Sequence, residues 1–79
     1  MDNVRIHPTA SIDSGAKIGS GTIVWINVQI RENSTVGKNC VLSKDVYIDR
    51  NVRIGDECKI QNSVSIYDGV TIENQVFVG

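Results

Sequence analysis

The sequence predicts an all-β fold, a parallel β-helix shaped as a triangular prism, and three observations predict it. Every sixth residue from Ile6 to Val78 is aliphatic: Ile6, Ile12, Ile18, Val24, Ile30, Val36, Leu42, Ile48, Ile54, Ile60, Ile66, Ile72 and Val78. The residue two places before each is small or β-branched, from Val4, Ala10 and Ala16 through Thr22, Val28, Ser34, Cys40, Val46, Val52 and Cys58 to Val64, Val70 and Val76. The residue three places after is rich in turn formers: Gly15, Gly21, Asn27, Asn33, Asn39, Asp45, Asn51 and Gly69. An uninterrupted short period of this kind is the signature of a repeat architecture.

Each part of the hexad has its own reason. Two inward residues with an outward one between them have the period-two alternation of a short strand. The remaining three residues must turn the chain. Glycine, asparagine and aspartate tolerate the positive φ that a tight corner needs. Three hexads then close one triangular coil of 18 residues, and 79/18 gives about 4.4 coils. The whole of residues 1–79 reads as a single domain.

Composition excludes several function classes. The formal net charge is −1, which makes no electrostatic case for nucleic acid or an anionic membrane. No apolar run approaches the ~20 residues needed to span a bilayer. Met1-Asp2-Asn3 begins no signal peptide, so the expected compartment is cytoplasmic. Cys40 and Cys58 both take the inward small position, one coil apart, and are expected as reduced core thiols. One histidine and two inward cysteines make no metal-ligand set.

Folding the sequence at period 18 separates three corners. The glycine corner reads Gly19-Ser20-Gly21, Gly37-Lys38-Asn39, Gly55-Asp56-Glu57 and Glu73-Asn74-Gln75, and is regular. The tryptophan corner reads His7-Pro8-Thr9, Trp25-Ile26-Asn27, Ser43-Lys44-Asp45 and Gln61-Asn62-Ser63. The arginine corner reads Asp13-Ser14-Gly15, Arg31-Glu32-Asn33, Asp49-Arg50-Asn51 and Tyr67-Asp68-Gly69. The last two have lost the glycine pattern, and departures from regularity are where function is expected. Outward strand positions divide in the same way. One face carries Arg5, Ile23, Val41, Lys59 and Phe77; another Ser11, Gln29, Tyr47 and Ser65; the third Lys17, Thr35, Arg53 and Thr71. Ile23, Val41 and Phe77, with Trp25 at the adjoining corner, mark an interaction surface for self-association.

The repeat resembles that of the hexapeptide-repeat acyltransferases. Within them, the run Lys59-Ile60-Gln61-Asn62-Ser63-Val64-Ser65-Ile66-Tyr67-Asp68-Gly69-Val70-Thr71-Ile72-Glu73 resembles the nucleotide-sugar N-acetyltransferases that acetylate a 3-amino sugar for surface polysaccharides. Trp25 after Ile23-Val24 also fits that group, and the likeness covers residues 6–79. The resemblance implies a left-handed coil, acetyl-CoA as co-substrate, and a homotrimer with active sites in clefts between prisms. It also implies further coils beyond Gly79, so that this chain corresponds to the N-terminal part of such an enzyme. The chain departs from the family at Ser43-Lys44-Asp45, where Gly-Gln-Asn is usual, and at Asp49, where glycine is usual.

Amide formation from an amine and a thioester needs a neutral amine, donors for the developing oxyanion, and a fixed position for both reactants. A general base helps, and in these acyltransferases it is usually histidine. The single histidine here, His7, precedes Pro8 in the first coil and reads as a corner residue, so no catalytic residue is assigned. With the resemblance, Arg31, Tyr67 and Asp68 are candidates for holding a pyrophosphate or sugar carboxylate. The alternative for them is a solvated, salt-bridged corner. Lys44, Gln61 and Asn62 are substrate-binding candidates at the other corner with Trp25, where Gln61 and Asn62 could read a base or sugar hydroxyls, or else cap backbone groups at the turn. Trp25 reads as an interface anchor ahead of a stacking platform. The competing function is a non-enzymatic β-helical assembly module.

Overall fold

A computed structural model describes residues 3–79. It contains thirteen two-residue strands and no helix. In chain order they are β1 (Arg5–Ile6), β2 (Ser11–Ile12), β3 (Lys17–Ile18), β4 (Ile23–Val24), β5 (Gln29–Ile30), β6 (Thr35–Val36), β7 (Val41–Leu42), β8 (Tyr47–Ile48), β9 (Arg53–Ile54), β10 (Lys59–Ile60), β11 (Ser65–Ile66), β12 (Thr71–Ile72) and β13 (Phe77–Val78). Every third strand joins one sheet: β1-β4-β7-β10-β13, β2-β5-β8-β11 and β3-β6-β9-β12. All pairings are parallel and in register at a separation of 18, as in Arg5 with Ile23 and Ile12 with Ile30. The three sheets wrap a β-solenoid that matches a left-handed β-helix. Among the described residues no helix is long and apolar enough to cross a membrane.

The expected inward positions form the core. Ile30, Leu42, Ile48 and Ile60 are completely buried, with Val28, Val46 and Val52 beside them. Burial fades towards both ends, where Val4, Ile6, Ala10, Val64, Val76 and Val78 are only partly covered. Each inward row therefore packs against the coils above and below it, and the middle two coils hold the fully buried side chains.

The outward strand residues donate forward to the next coil. Arg5 donates its N–H to the Thr22 carbonyl at 3.1 Å, Gln29 to Val46 at 3.0 Å and Lys59 to Val76 at 3.0 Å. Corners join the ladder too. The third corner residue donates to the middle residue one coil earlier, as Asp45 does to Ile26 at 3.1 Å and Gln75 to Asp56 at 2.8 Å. This bond requires positive φ at the third residue, and the predicted turn formers all adopt it. Glu57, Ser63 and Gln75 adopt it as well, at φ 59, 62 and 61, although their side chains favour it less. Stacking on the coil below overrides local preference there. Thr9 is the exception: its hydroxyl takes the Asn27 N–H at 2.8 Å, in the place a corner carbonyl fills elsewhere.

The small inward positions explain the polar residues in the core. Thr22 and Ser34 are fully buried, and their hydroxyls donate to the carbonyls of Gly37 and Asp49. The same hydroxyls accept the N–H groups of Cys40 and Val52. Cys40 and Cys58 repeat the device with thiols, donating to Gly55 at 3.1 Å and Glu73 at 3.0 Å. Both thiols are free and buried, as expected of core residues. Burial pushes the Cys40 thiol above its ordinary value, which keeps it protonated and unreactive. At the glycine corner, a Cβ on Gly37 would lie 2.6 Å from the Gly55 carbonyl carbon, so only glycine lets these coils stack so closely.

Ile48 is fully buried at mid-prism, with a coil on each side. Ile48→Ala should lower the unfolding free energy by about 2–5 kcal/mol, read from urea denaturation followed by circular dichroism. A loss within the scatter of surface substitutions would contradict a close-packed prism interior.

Candidate functional site

The two irregular corners form separate edges of the prism, one on each side of the sheet β2-β5-β8-β11. The arginine corner carries an alternating column of charge. Its first positions run Asp13, Arg31, Asp49, Tyr67 and its second positions Ser14, Glu32, Arg50, Asp68. Register stacks each cation between carboxylates of adjacent coils. Arg31 Nε lies 2.8 Å from Glu32 Oε1 and 3.3 Å from Asp13 Oδ2. Its Nη1 donates to the Tyr47 hydroxyl at 2.9 Å. That hydroxyl donates in turn to Asp49 Oδ1 at 3.4 Å, which also accepts the Arg50 N–H at 2.8 Å. Arg50 Nη2 reaches Asp68 Oδ2 at 3.6 Å. One connected network thus spans all four coils along this edge.

Its electrostatics follow from those contacts. The bonds from Glu32 and Tyr47 hold the Arg31 guanidinium protonated, well above its ordinary range. Glu32 is held below its ordinary value, first by its own backbone N–H and then by the Arg31 side chain. Four carboxylates face two guanidinium groups, so the edge carries a net charge of −2.

Of the candidates expected there, Arg31 and Asp68 are both in ion pairs within the chain, but not with each other. Asp68 meets Arg50. Tyr67 is 70% exposed, two coils above Arg31 in the same column. Arg31 is not a free cation waiting for a phosphate. Tyr47 and Arg50, which complete the network, were not singled out from the sequence. The available signal was register: Tyr47 is the outward residue leading into Asp49, one coil above Arg31.

The tryptophan corner is built differently. Trp25 is 51% exposed and Ile26 39% exposed. A recess of about 310 Å³ is lined by Trp25, Ile26, Ser43, Lys44 and Asn62. It brings together two of the expected residues, Lys44 and Asn62. Lys44 Nζ lies 3.6 Å from Asp45 Oδ2, with both side chains about half exposed to solvent. Gln61 is set apart: it is partly buried and its N–H donates to the Val78 carbonyl at 2.8 Å. A second recess of about 260 Å³ lies on the other side of Trp25, between Arg5, Ile6, His7, Ile23 and Val24. His7 is engaged in its own corner. Its Nδ1 accepts the Thr9 N–H at 3.2 Å and lies 2.9 Å from the Thr9 hydroxyl. That places the ring proton of a neutral imidazole on Nε2 and ties the ring to the turn.

On the outer face of β1-β4-β7-β10-β13, Ile23 and Val41 are half-buried and adjacent. Phe77 is 66% exposed, but Lys59 separates it from Val41 and lies 5.8 Å over its ring. The apolar face is therefore two residues beside Trp25, with Phe77 as a second, cation-capped patch. Within one prism the Lys44 group and the Arg31 group do not converge.

A comparison with protein-family models finds no match, and a comparison with curated proteins finds none either.

The charge column predicts a pH response. Glu32 is held ionised in the folded chain, so its stabilisation is present above its ordinary value of 4.5 and is lost as pH falls through the lower, folded value. Arg31→Gln should lower the thermal midpoint at neutral pH, and the gap to the parent should narrow in acid and in high salt. Thermal unfolding at pH 7 and pH 3 checks this. An equal gap at both would show that Arg31 acts by packing and not by charge.

Proposed function

We propose that the protein is an acetyl-CoA-dependent N-acetyltransferase of a nucleotide-linked amino sugar, or the N-terminal part of one, working as a homotrimer. The observation that carries this reading is the Lys59–Glu73 run, with its likeness to the 3-amino-sugar enzymes, set in an unbroken 18-residue coil. The coil gives a rigid wall, and rigid walls suit a reaction that depends on holding an amine against a thioester.

In the reaction the amine lone pair attacks the thioester carbonyl. A C–N bond forms, the C–S bond breaks, and coenzyme A leaves as a thiol after taking up the proton that the amine loses. The amine must arrive neutral. His7 does not suit the role of base, because its Nδ1 is held by Thr9 at the first coil. Arg31 does not suit the role of phosphate clamp, because Asp13, Glu32 and Tyr47 already occupy it. The contribution of this chain is therefore a scaffold edge and binding groups, chiefly Lys44 and Asn62. Clefts between prisms would let groups from separate edges meet, which one prism does not allow.

The second reading, a non-enzymatic β-helical assembly module, is favoured by the arginine corner. There every guanidinium is satisfied within the chain, as a purely structural edge requires.

Two experiments test the proposal. Incubating the protein, expressed from its natural reading frame, with nucleotide 3-amino sugars and acetyl-CoA should release free thiol, followed colorimetrically. No release across the substrate class sinks the transferase reading and favours the module. Light scattering should report a trimer, and Ile23→Lys combined with Val41→Lys should dissociate it. A monomer at high concentration in the parent chain would remove the Ile23 face as an interface.

A further inference from the structure

Cys40 and Cys58 are the only two cysteines, and they lie one over the other inside the prism, 0% and 1% exposed. Their column runs Val4, Thr22, Cys40, Cys58 and Val76, so the pair is bounded by a hydroxyl on one side and an apolar residue on the other. The two side chains repeat one geometry. Cys40 Sγ lies 3.6 Å from the Lys38 carbonyl and 3.1 Å from the Gly55 carbonyl. Cys58 Sγ lies 3.7 Å from the Asp56 carbonyl and 3.0 Å from the Glu73 carbonyl. Corresponding acceptors are one coil apart, so the second sulfur is the first moved along the prism by one strand spacing, about 4.8 Å.

That separation decides what the pair can do. A disulfide needs Cβ atoms at about 3.5–4.5 Å and inclined towards each other. Parallel side chains about 4.8 Å apart provide neither. A tetrahedral zinc centre needs four ligands, and this column has two. An ion midway between the sulfurs would lie about 2.4 Å from each, close to the ~2.3 Å of a zinc–thiolate bond. Thiolates select soft cations, and a soft d10 ion that takes two ligands in a line fits this spacing.

We propose that Cys40 and Cys58 form a linear two-thiolate site for a soft d10 cation, such as Hg(II) or Cu(I), in the core of the prism. Binding is ligand exchange with no change of oxidation state. Both S–H bonds break, two S–metal bonds form, and two protons pass to solvent. With a divalent ion the complex is neutral, which the apolar interior favours over a charged one. The Cys58 backbone N–H reaches the Cys40 sulfur from the next coil, the kind of outer bond that steadies a metal ligand. The carbonyls of Gly55 and Glu73 give up only weak S–H donors in exchange. Entry requires the middle coils to part, because both sulfurs are buried. The site is independent of the transferase reading.

Titration of the protein with mercuric chloride should raise a thiolate-to-metal charge-transfer band in the ultraviolet, saturating at one ion per chain. X-ray absorption at the metal edge should show two sulfurs at about 2.4 Å and no nearer nitrogen or oxygen. Cu(I) should show the same two-sulfur shell, and zinc should not compete. Uptake should be slow and should quicken in sub-denaturing urea. Cys40→Ser and Cys58→Ser should each keep the fold, since Ser34 fills an equivalent inward position with the same hydrogen bonds. Each should lower the affinity, measured against a competing thiol, by more than the roughly 100-fold that loss of an outer bond alone can cost.

The site is overturned by a shell of one sulfur per ion, by one ion bridging two chains, by equal binding of zinc, or by unchanged affinity in either serine variant. A Cys40–Cys58 disulfide formed in the folded chain by glutathione disulfide also overturns it, because the sulfurs would then sit closer than one strand spacing.

Discussion

The structure depends on one constraint: residues 18 apart lie directly over one another. The outward residue of each paired strand donates its N–H to a carbonyl 17 residues further on, as Arg5 does to Thr22 and Lys59 to Val76. The third residue of a corner donates the other way, to a carbonyl 19 residues earlier, as Asp45 does to Ile26. An insertion of one residue would break the ladder and turn an inward row outward, because side chains alternate with period two. This explains why the hexad runs without interruption from Ile6 to Val78. It also explains why Glu57, Ser63 and Gln75 accept a left-handed backbone that asparagine or glycine would adopt more readily. The ladder bonds gained at each corner outweigh the local strain of about 1–2 kcal/mol.

The same stacking turns corner sequences into columns, and a column can be structural or functional. The arginine corner is a column of alternating sign, closed by contacts from Asp13 to Asp68. Like charges stacked one coil apart would repel, so alternation favours the observed pairing of coils over a shifted one. The glycine corner gains its regularity from contact distance. Asp56 and Asn74 fold their side chains over Gly37 and Gly55 to accept N–H groups from the coil below, at 2.9 and 2.8 Å. Both corners serve the prism itself.

What remains uncommitted is the tryptophan corner. Trp25 and Ile26 are exposed, Lys44 has one solvent-exposed partner, and Asn62 lines an open recess. Groups that the fold does not use are the ones free to meet a ligand or a neighbouring prism. Phe77 is less free than its outward position suggests, since Lys59 lies over its ring.

The sequence by itself determined the coil, the three corners, the inward rows and the burial of Cys40 and Cys58, because a strict period leaves one way to pair the strands. Lys44 and Asn62 were also legible, as polar residues sharing a corner with Trp25. Only the tertiary structure decided which charged groups were already spent. In the sequence Arg31 is open to holding an anion or to a salt-bridged corner; in the structure it meets Asp13, Glu32 and Tyr47, of which only Glu32 is its neighbour along the chain. Register says which residues share a column. It does not say how far a flexible guanidinium reaches, or which of several carboxylates it takes. Likewise the two recesses beside Trp25 depend on how neighbouring side chains are arranged around one indole, and that is a matter of shape, which a one-dimensional period does not carry.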